Sequence, residues 1–355
     1  MLMMAEALAA GGHHVTIHTI GPSAMFEMLG TCPAHDAITY RVEDTSKSLE
    51  FSVIPDVCVL APDMGSDRFF YENWILAKVQ HGAALVFVNF ETPNWYNSLS
   101  PVQRDPGLWR LWDEFAPEAD LILSIAKEGQ KYAEEYYKSG ERNLRQDFCY
   151  PAIQDHVIDS IEDIPQEKQF LTFARFNWSE HKGVKDLGEV MDERFRGYCL
   201  KVVCGQTPPP EDLRQVYVDK ANLVGMRVEF LDCLDERGKY LEIKRSAAVL
   251  FPSYFEGFGY PPIESVYCGV PCVCFRLPVL LEAAGEFLIF SEPGDWGGFR
   301  DGIAQAISTR SVVSAEARKR ALKVSGFRNA VKNNNIIFRS LNPNLWMRLK
   351  QKFFG

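Results

Sequence analysis

Two apolar runs in the last third of the chain constrain the fold more than any other feature. The runs at 247–251 and 271–275 each predict a buried strand. Between them lies a glycine-containing turn, followed by a short helix that Pro261 opens and Gly269 closes. A strand, a turn, a helix and a second strand together form one unit of a parallel α/β sheet.

The turn also carries the residue types of a ligand site. Gly257 and Gly259 leave backbone N–H groups uncovered at the start of the helix, where an anion is stabilised. Glu256 precedes these glycines, and Glu264 stands on the helix eight positions later. Sugar hydroxyls donate strong hydrogen bonds to carboxylates, so acids beside an anion site indicate a sugar ligand.

The pattern Pro-Ser-x-x-Glu-Gly-Phe-Gly-x-Pro-x-x-Glu-x-x-x-x-Gly-x-Pro resembles the signature of the retaining glycosyltransferases of the two-domain GT-B fold, family 4. The resemblance implies that Glu256 lies by the hydroxyls of the transferred sugar and that Glu264 accepts hydrogen bonds from the ribose. It also implies that Gly257, Phe258 and Gly259 offer backbone groups to the sugar and the phosphates.

A second segment, residues 173–184, supplies cations. It contains Arg175 and Lys182 and resembles the Gly-Arg-…-Lys-Gly segment of family 4, whose arginine and lysine bind the donor diphosphate. Ala174 replaces the usual glycine, and the spacing from arginine to lysine is two residues longer than usual. The chain has no Asp-x-Asp pattern for a metal, so we expect a metal-free donor site. By resemblance, the catalytic residues are Glu256, Arg175 and Lys182.

Alternating strands and helices predict two Rossmann-like, doubly wound α/β domains. The resemblance implies that they face each other across a cleft. We expect an acceptor-side domain at 1–155, a nucleotide-sugar-binding domain at 156–328 and a C-terminal helix within 329–355. The chain begins with a helix and a strand at 14–20, so the opening strand that GT-B proteins usually carry is missing from this sequence.

Six strands are expected in the second domain, at 169–175, 198–205, 228–233, 247–253, 272–275 and 287–291, with helices at 184–195, 211–224 and 236–246. The tail at 336–354 mixes aromatic residues such as Trp346 with basic ones. Such a helix binds an anionic membrane surface or packs back on the first domain. The GT-B pattern favours the second use.

The acceptor side is expected in segments that follow strands of the first domain, because ligands bind at the carboxyl ends of such strands. The segment at 89–96 combines aromatic and hydrogen-bonding residues, as sugar sites often do, and Asn89, Glu91 and Trp95 are its candidates for acceptor contacts. A solvated connection is the alternative interpretation. The acceptor is a glycan, a lipid-linked sugar or a small molecule.

Composition narrows the partners further. A net charge of −9 argues against nucleic acid, and no apolar run reaches the roughly 18 residues of a membrane span. The nine cysteines fall mostly in apolar strands, which indicates a reducing compartment. We therefore expect a cytoplasmic protein, with peripheral contact at the inner membrane face left open through the tail. We expect no cofactor, and the sequence indicates no oligomeric state.

The resulting hypothesis is a retaining hexosyltransferase that uses a nucleotide-diphosphate sugar and no metal. The missing opening strand and the longer arginine-to-lysine spacing leave a second hypothesis open. In that one, the chain is a catalytically inactive GT-B-like protein that binds a nucleotide sugar or a partner. An epimerase or a phosphorylase of the same fold is a third class. A phosphorylase would need a lysine Schiff-base site for its cofactor, and the sequence shows no signature of one.

Overall fold

The computed structural model describes residues 1–19, 37–43, 47–51, 53–137, 144–176, 180–205, 207–308 and 313–341. These residues form two α/β domains with parallel strands, which confirms the predicted fold class. In the first domain, β1 (Val15–Thr19) pairs with β2 (Ile38–Val42). A separate four-stranded sheet runs in chain order through β3 (Val57–Leu60), β4 (Ala84–Asn89), β5 (Leu121–Ser124) and β6 (Gln146–Phe148).

The second domain contains the six expected strands in one parallel sheet. They are β7 (Gln169–Phe173), β8 (Cys199–Val203), β9 (Arg227–Leu231), β10 (Ala248–Phe251), β11 (Cys272–Phe275) and β12 (Ile289–Ser291). Their spatial order is β12-β11-β10-β7-β8-β9. From β7 the chain adds β8 and β9 toward one edge of the sheet. It then returns to the other side of β7 and adds β10, β11 and β12 toward the opposite edge, so the order of strands reverses between β7 and β10. Ligands bind beyond the carboxyl ends of strands at such a switch point, so the loops after β7 and β10 should border the site.

Helices cover the sheets of both domains. The first domain has α1 (Leu2–Ala10), α2 (Arg68–His81), α3 (Pro93–Leu99), α4 (Arg110–Phe115) and α5 (Lys127–Tyr136). The chain continues through α6 (Asp155–Asp159), α7 (Glu211–Val224), α8 (Glu236–Arg245), α9 (Tyr260–Cys268), α10 (Pro278–Ala284), α11 (Trp296–Ser308), α12 (Ala315–Ser325) and α13 (Phe327–Leu341). Helix α8 begins where the sequence predicts because Asp235 accepts a hydrogen bond from the backbone N–H of Gly238.

The helix predicted at 184–195 is wrong. This stretch forms two short 3-10 turns, Leu187–Val190 and Glu193–Phe195. Asp192 is the reason, because its carboxylate accepts a hydrogen bond from the backbone N–H of Arg194 and so starts the second turn separately. The apolar side chains of both turns still lie in the core, so the apolar pattern marks burial here but not a helix.

The last described helix returns to the first domain. Helix α13 packs against α1, and its Ile337 and Phe338 are buried in one cluster with Leu8, Val86 and Leu123. A side chain of the first domain, Arg145, also donates to Ser340 on this helix at 2.7 Å. The aromatic and basic tail around Trp346 lies outside the described residues.

Candidate donor and acceptor site

The loops after β7 and β10 border a cleft between the two domains with a volume of about 750 Å³. Its second-domain wall includes Arg175, Lys182 and residues 256–259. Its first-domain wall includes Glu91 and Arg104. The structure therefore brings seven of the sequence-predicted site residues together, at the switch point of the second sheet.

Lys182 and Glu256 form an ion pair inside this cleft. The Nζ of Lys182 lies 2.6 Å from Oε1 of Glu256, and Ser253 donates its hydroxyl to the same oxygen at 2.7 Å. The two charged side chains are 18% and 10% exposed. Because two donors fix this carboxylate, it presents an oriented acceptor to a ligand, with the lysine cation beside it.

Two glycines allow the loop after β7, the loop after β10 and the backbone of the first domain to approach each other closely. Gly183 has φ +65°, and a Cβ atom there would lie 2.2 Å from the carbonyl oxygen of Pro252. A Cβ atom at Gly257 would lie 2.5 Å from the carbonyl oxygen of Phe90, in the first domain. Because glycine has no Cβ, both contacts are possible. The loop that carries the lysine is thus held against the β10 loop, which itself touches the first domain.

Arg175 lies two residues after the end of β7, and its side chain is exposed on the cleft wall. The preceding Ala174 is buried, and its backbone N–H donates to the carbonyl of Val203 at 2.9 Å. The alanine therefore fits where the family has glycine, and the arginine still reaches the cleft. Residues 177–179, which lie within the longer spacing to Lys182, are outside the described residues.

Glu264 lies on α9 behind the cleft wall. Its side chain is 4% exposed, and its Oε1 accepts hydrogen bonds from Lys239 at 2.8 Å and from Tyr240 at 3.0 Å. Tyr260, one turn earlier on the same helix, lines the cleft instead. A role of Glu264 at the donor ribose stays a prediction.

Two of the three acceptor-side candidates require correction. Asn89 is fully buried and donates hydrogen bonds to Ser124 and to the backbone of Gly129. Trp95 is fully buried and packs its ring against Phe255, with ring centroids 5.2 Å apart. The physical reason is that Asn89 ends the buried strand β4, whereas Trp95 stands on the buried face of helix α3. Neither side chain can contact an acceptor in this arrangement.

The third candidate, Glu91, lines the cleft together with a residue that sequence reasoning missed. Arg104 Nη1 lies 3.3 Å from Glu91 Oε1, and the Arg104 guanidinium carbon is 4.1 Å from the centroid of the Tyr96 ring. The Tyr96 hydroxyl lies 3.3 Å from Nδ1 of His181, in the second domain. No local sequence pattern marks Arg104, because it stands in an irregular loop at 100–105 and reaches the cleft only through the fold.

The cleft concentrates positive charge around one histidine. Burial and, to a smaller extent, the neighbouring cations Lys182, Arg104 and Arg175 together lower the pKa of His181 to about 3. Burial also raises the pKa of Glu91 above its usual range, although Arg104 and Lys182 oppose this shift. The two cations of the second-domain wall, Arg175 and Lys182, are suited to attract a diphosphate.

We expect His181 to make the stability of the protein depend on pH. The unfolded chain takes up this proton below about pH 6.5, whereas the folded protein does not until about pH 3. Stability should therefore fall on acidification from pH 7 to pH 5, by up to about 2 kcal/mol from this group. Denaturant unfolding at the two pH values measures the loss. His181→Gln should show a smaller loss than wild type, and an equal loss in both proteins would contradict the assignment.

Some features of the described ranges concern metals, membranes and thiols. The His, Cys, Asp and Glu side chains in these ranges form no cluster of three or more suited to a metal ion. Every helix in them is too short or too polar to cross a bilayer. The eight cysteines that the structure describes are all free thiols.

Comparison with known proteins supports the assignment of the second domain. Residues 156–323 match the family described as "Glycosyl transferases group 1". The O-antigen chain mannosyltransferase RfbU of Salmonella typhimurium is 28% identical over 137 residues, which cover 39% of this chain and 38% of that protein. The O-antigen biosynthesis glycosyltransferase WclY of Escherichia coli is 25% identical over 49% of this chain and 46% of its own length. The chain thus spans less than half the length of these curated relatives.

Solved structures resemble the whole chain. Sucrose-phosphate synthase from Thermosynechococcus elongatus superposes with a TM-score of 0.71 at 15% identity, over 95% of this chain and 91% of that one. HepE from Anabaena, in complex with UDP and glucose, superposes with a TM-score of 0.69 at 14% identity, over 96% of each chain. At such identities the likeness shows the fold, which is GT-B. This chain therefore has the GT-B fold, and its residues 156–323 match the group 1 glycosyltransferase family.

Proposed function

We propose that this protein is a retaining glycosyltransferase of the family 4 type, which moves a hexosyl group from a nucleotide-diphosphate sugar to an acceptor hydroxyl without a metal ion. The observation that carries the proposal is the single cleft in which Arg175, Lys182 and Glu256 meet. Two fixed cations suit a diphosphate, and an oriented carboxylate suits the hydroxyls of the sugar.

In the proposed reaction the bond between the anomeric carbon and the β-phosphate oxygen breaks, and negative charge builds up on that oxygen. Arg175 and Lys182 stabilise this charge. The acceptor oxygen bonds to the anomeric carbon on the same face, and its proton passes to the departing phosphate oxygen. The protein itself contributes position and charge rather than a strong base. Glu256 orients the transferred sugar through its hydroxyls.

We propose a mannosyl donor and a glycan acceptor of the O-antigen type. The support is that RfbU is named an O-antigen chain mannosyltransferase and WclY an O-antigen biosynthesis glycosyltransferase. A nucleotide-linked donor is supported by the structural likeness to HepE, which was solved with UDP and glucose. We place the reaction in the cytoplasm, since the described cysteines are free thiols, as expected in a reducing compartment.

Release of free nucleotide tests this function. The full chain is incubated with GDP-mannose or with UDP-glucose, with and without methyl α-D-mannopyranoside as acceptor. We expect nucleotide release from at least one donor and a faster rate with acceptor. Binding of a donor without any turnover, with either donor and with acceptor present, would contradict transfer and support the inactive sugar-binding alternative.

We expect the reaction to proceed unchanged in the presence of EDTA. The proposed charge stabilisation comes from Arg175 and Lys182, which a chelator does not remove. The rate of nucleotide release is measured before and after chelation, and again with added Mg²⁺ or Mn²⁺. Loss of the rate in EDTA with recovery on adding either metal would show that the two side chains do not suffice.

A further inference from the structure

The first-domain wall of the cleft carries an acid and a base side by side. Glu91 and Arg104 both line the cleft, with Glu91 Oε1 and Arg104 Nη1 3.3 Å apart. Their side chains are 18% and 22% exposed, so both are largely buried yet reachable from the cleft. The pair thus places a hydrogen-bond acceptor and a hydrogen-bond donor one hydrogen-bond length apart on one surface.

The arginine of this pair is held in place at both ends. Its backbone N–H donates to Oδ1 of Asn97 at 2.9 Å, and its carbonyl accepts from Nδ2 of the same residue at 2.9 Å. At the other end its guanidinium lies over the ring of Tyr96. A planar guanidinium that stacks on an aromatic ring loses little further freedom when it binds a ligand. Arg104 is therefore preorganised for recognition.

The acid of the pair lies beside the donor loop. Glu91 directly follows Phe90, whose carbonyl oxygen approaches Gly257 so closely that a Cβ atom there would lie 2.5 Å away. Glu91 also lies near enough to Lys182 for that cation to influence its pKa. The first-domain pair is consequently close to the place where the transferred sugar would meet its acceptor.

We propose that Glu91 and Arg104 bind two neighbouring hydroxyl groups of the acceptor, so that the acceptor is a sugar with a vicinal diol. The Glu91 carboxylate accepts a hydrogen bond from one hydroxyl, and the Arg104 guanidinium donates to the oxygen of the next. Neighbouring hydroxyls stand on adjacent ring carbons, which fits an acceptor and a donor at this spacing. The inference rests on the proposed glycosyl transfer and makes Arg104 a specificity residue.

An anionic group is a poorer match for this wall. A phosphate or carboxylate on Arg104 would bring a second negative charge next to the carboxylate of Glu91, in a largely buried place where like charges repel strongly. A neutral diol meets both members of the pair without that repulsion. Burial of the carboxylate makes donated hydrogen bonds from hydroxyls especially favourable to it.

Titration of methyl glycosides followed by NMR tests the inference. Methyl α-D-mannopyranoside, glucopyranoside and galactopyranoside are titrated into the protein saturated with GDP or with UDP, and Kd is determined for each. We expect at least one glycoside to bind, and Glu91→Gln and Arg104→Met each to weaken it about tenfold or more, since each removes a hydrogen bond to a charged group. A deoxy analogue that lacks one hydroxyl of the diol should bind the wild-type protein weakly. Its affinity should fall little further in the variant that lacks the side chain proposed to bind that hydroxyl.

Matched controls come from charged residues outside the cleft. Glu189→Gln and Arg194→Met change exposed members of surface ion pairs and should leave every Kd unchanged. The inference would be overturned if Glu91→Gln and Arg104→Met bound the glycosides as tightly as wild type does. It would also be overturned if no glycoside bound to wild type. Weaker binding of GDP-mannose or UDP-glucose with unchanged glycoside affinity would also overturn it, since the pair would then belong to the donor. A protein that binds a glycoside but releases nucleotide from no donor would contradict the proposed function and not the inference about the acceptor wall.

Discussion

Arg175→Ala should lower the rate of sugar transfer by about 10²–10³, which corresponds to roughly 2.7–4 kcal/mol of transition-state stabilisation. Arg175 lies two residues after β7 at the switch point, and its side chain lines the cleft. Its charge is needed most when the diphosphate departs. Because the side chain is exposed, the free energy of unfolding should change by no more than about 0.5 kcal/mol. Steady-state nucleotide release and denaturant unfolding measure the two quantities.

A matched control separates this effect from a general loss of positive charge. Arg194→Ala removes an exposed arginine that pairs with Asp192 and Asp301 away from the cleft, so its transfer rate should equal that of wild type. An Arg175→Ala protein with undiminished kcat would remove this residue from the stabilisation of the leaving group.

Gly183→Ala is the second change with a large expected effect, and it acts on stability as well as on activity. The position combines φ +65° with a Cβ site 2.2 Å from the carbonyl oxygen of Pro252, a backbone atom that cannot rotate aside. The left-handed backbone and the overlap together should cost about 2–6 kcal/mol. For a domain of this size that lowers Tm by about 5 °C or more. Any displacement of the loop also moves Lys182 away from Glu256, so transfer should fall too.

Gly197→Ala supplies the comparison for the steric part of this effect. Gly197 has φ +83°, but a Cβ atom there would meet nothing within 4 Å. Its alanine variant should therefore show only the backbone cost of about 1–2 kcal/mol and keep its transfer rate. Equal thermal shifts in the two variants, measured by calorimetry, would show that the contact with Pro252 does not hold the lysine loop.

Much of the second domain could be predicted from its sequence because its signals are local. Strands such as β10 and β11 are short, apolar and fully buried, and the helices α7 and α8 begin and end within a residue of the predicted positions. Glycines and prolines around α9 mark its two ends in the sequence itself. The prediction of a helix at 184–195 is wrong because the hydrogen bond that Asp192 accepts from the backbone of Arg194 starts a separate turn, which the apolar pattern does not reveal.

The acceptor wall could not be predicted in the same way, because tertiary packing decides it. An aromatic residue after a strand is suited equally to a sugar platform and to a core, and the structure places Trp95 in the core. Arg104 lies 13 positions beyond Glu91 in an irregular loop, and the tertiary contacts with Asn97 and Tyr96 bring the two together. The short strand β6 gives no clear signal in the sequence either, because its three residues are only half-buried and do not alternate.

The central claim is that two cations and one acid of the second domain converge on a single activated sugar. A crystal structure of the protein soaked with the donor that supports nucleotide release tests it most directly. We predict that the diphosphate lies within hydrogen-bond distance of Arg175 and Lys182, with the hexose hydroxyls on Glu256. A nucleotide sugar bound elsewhere on the protein, with Lys182 still paired to Glu256 and the cleft unfilled, would contradict the account.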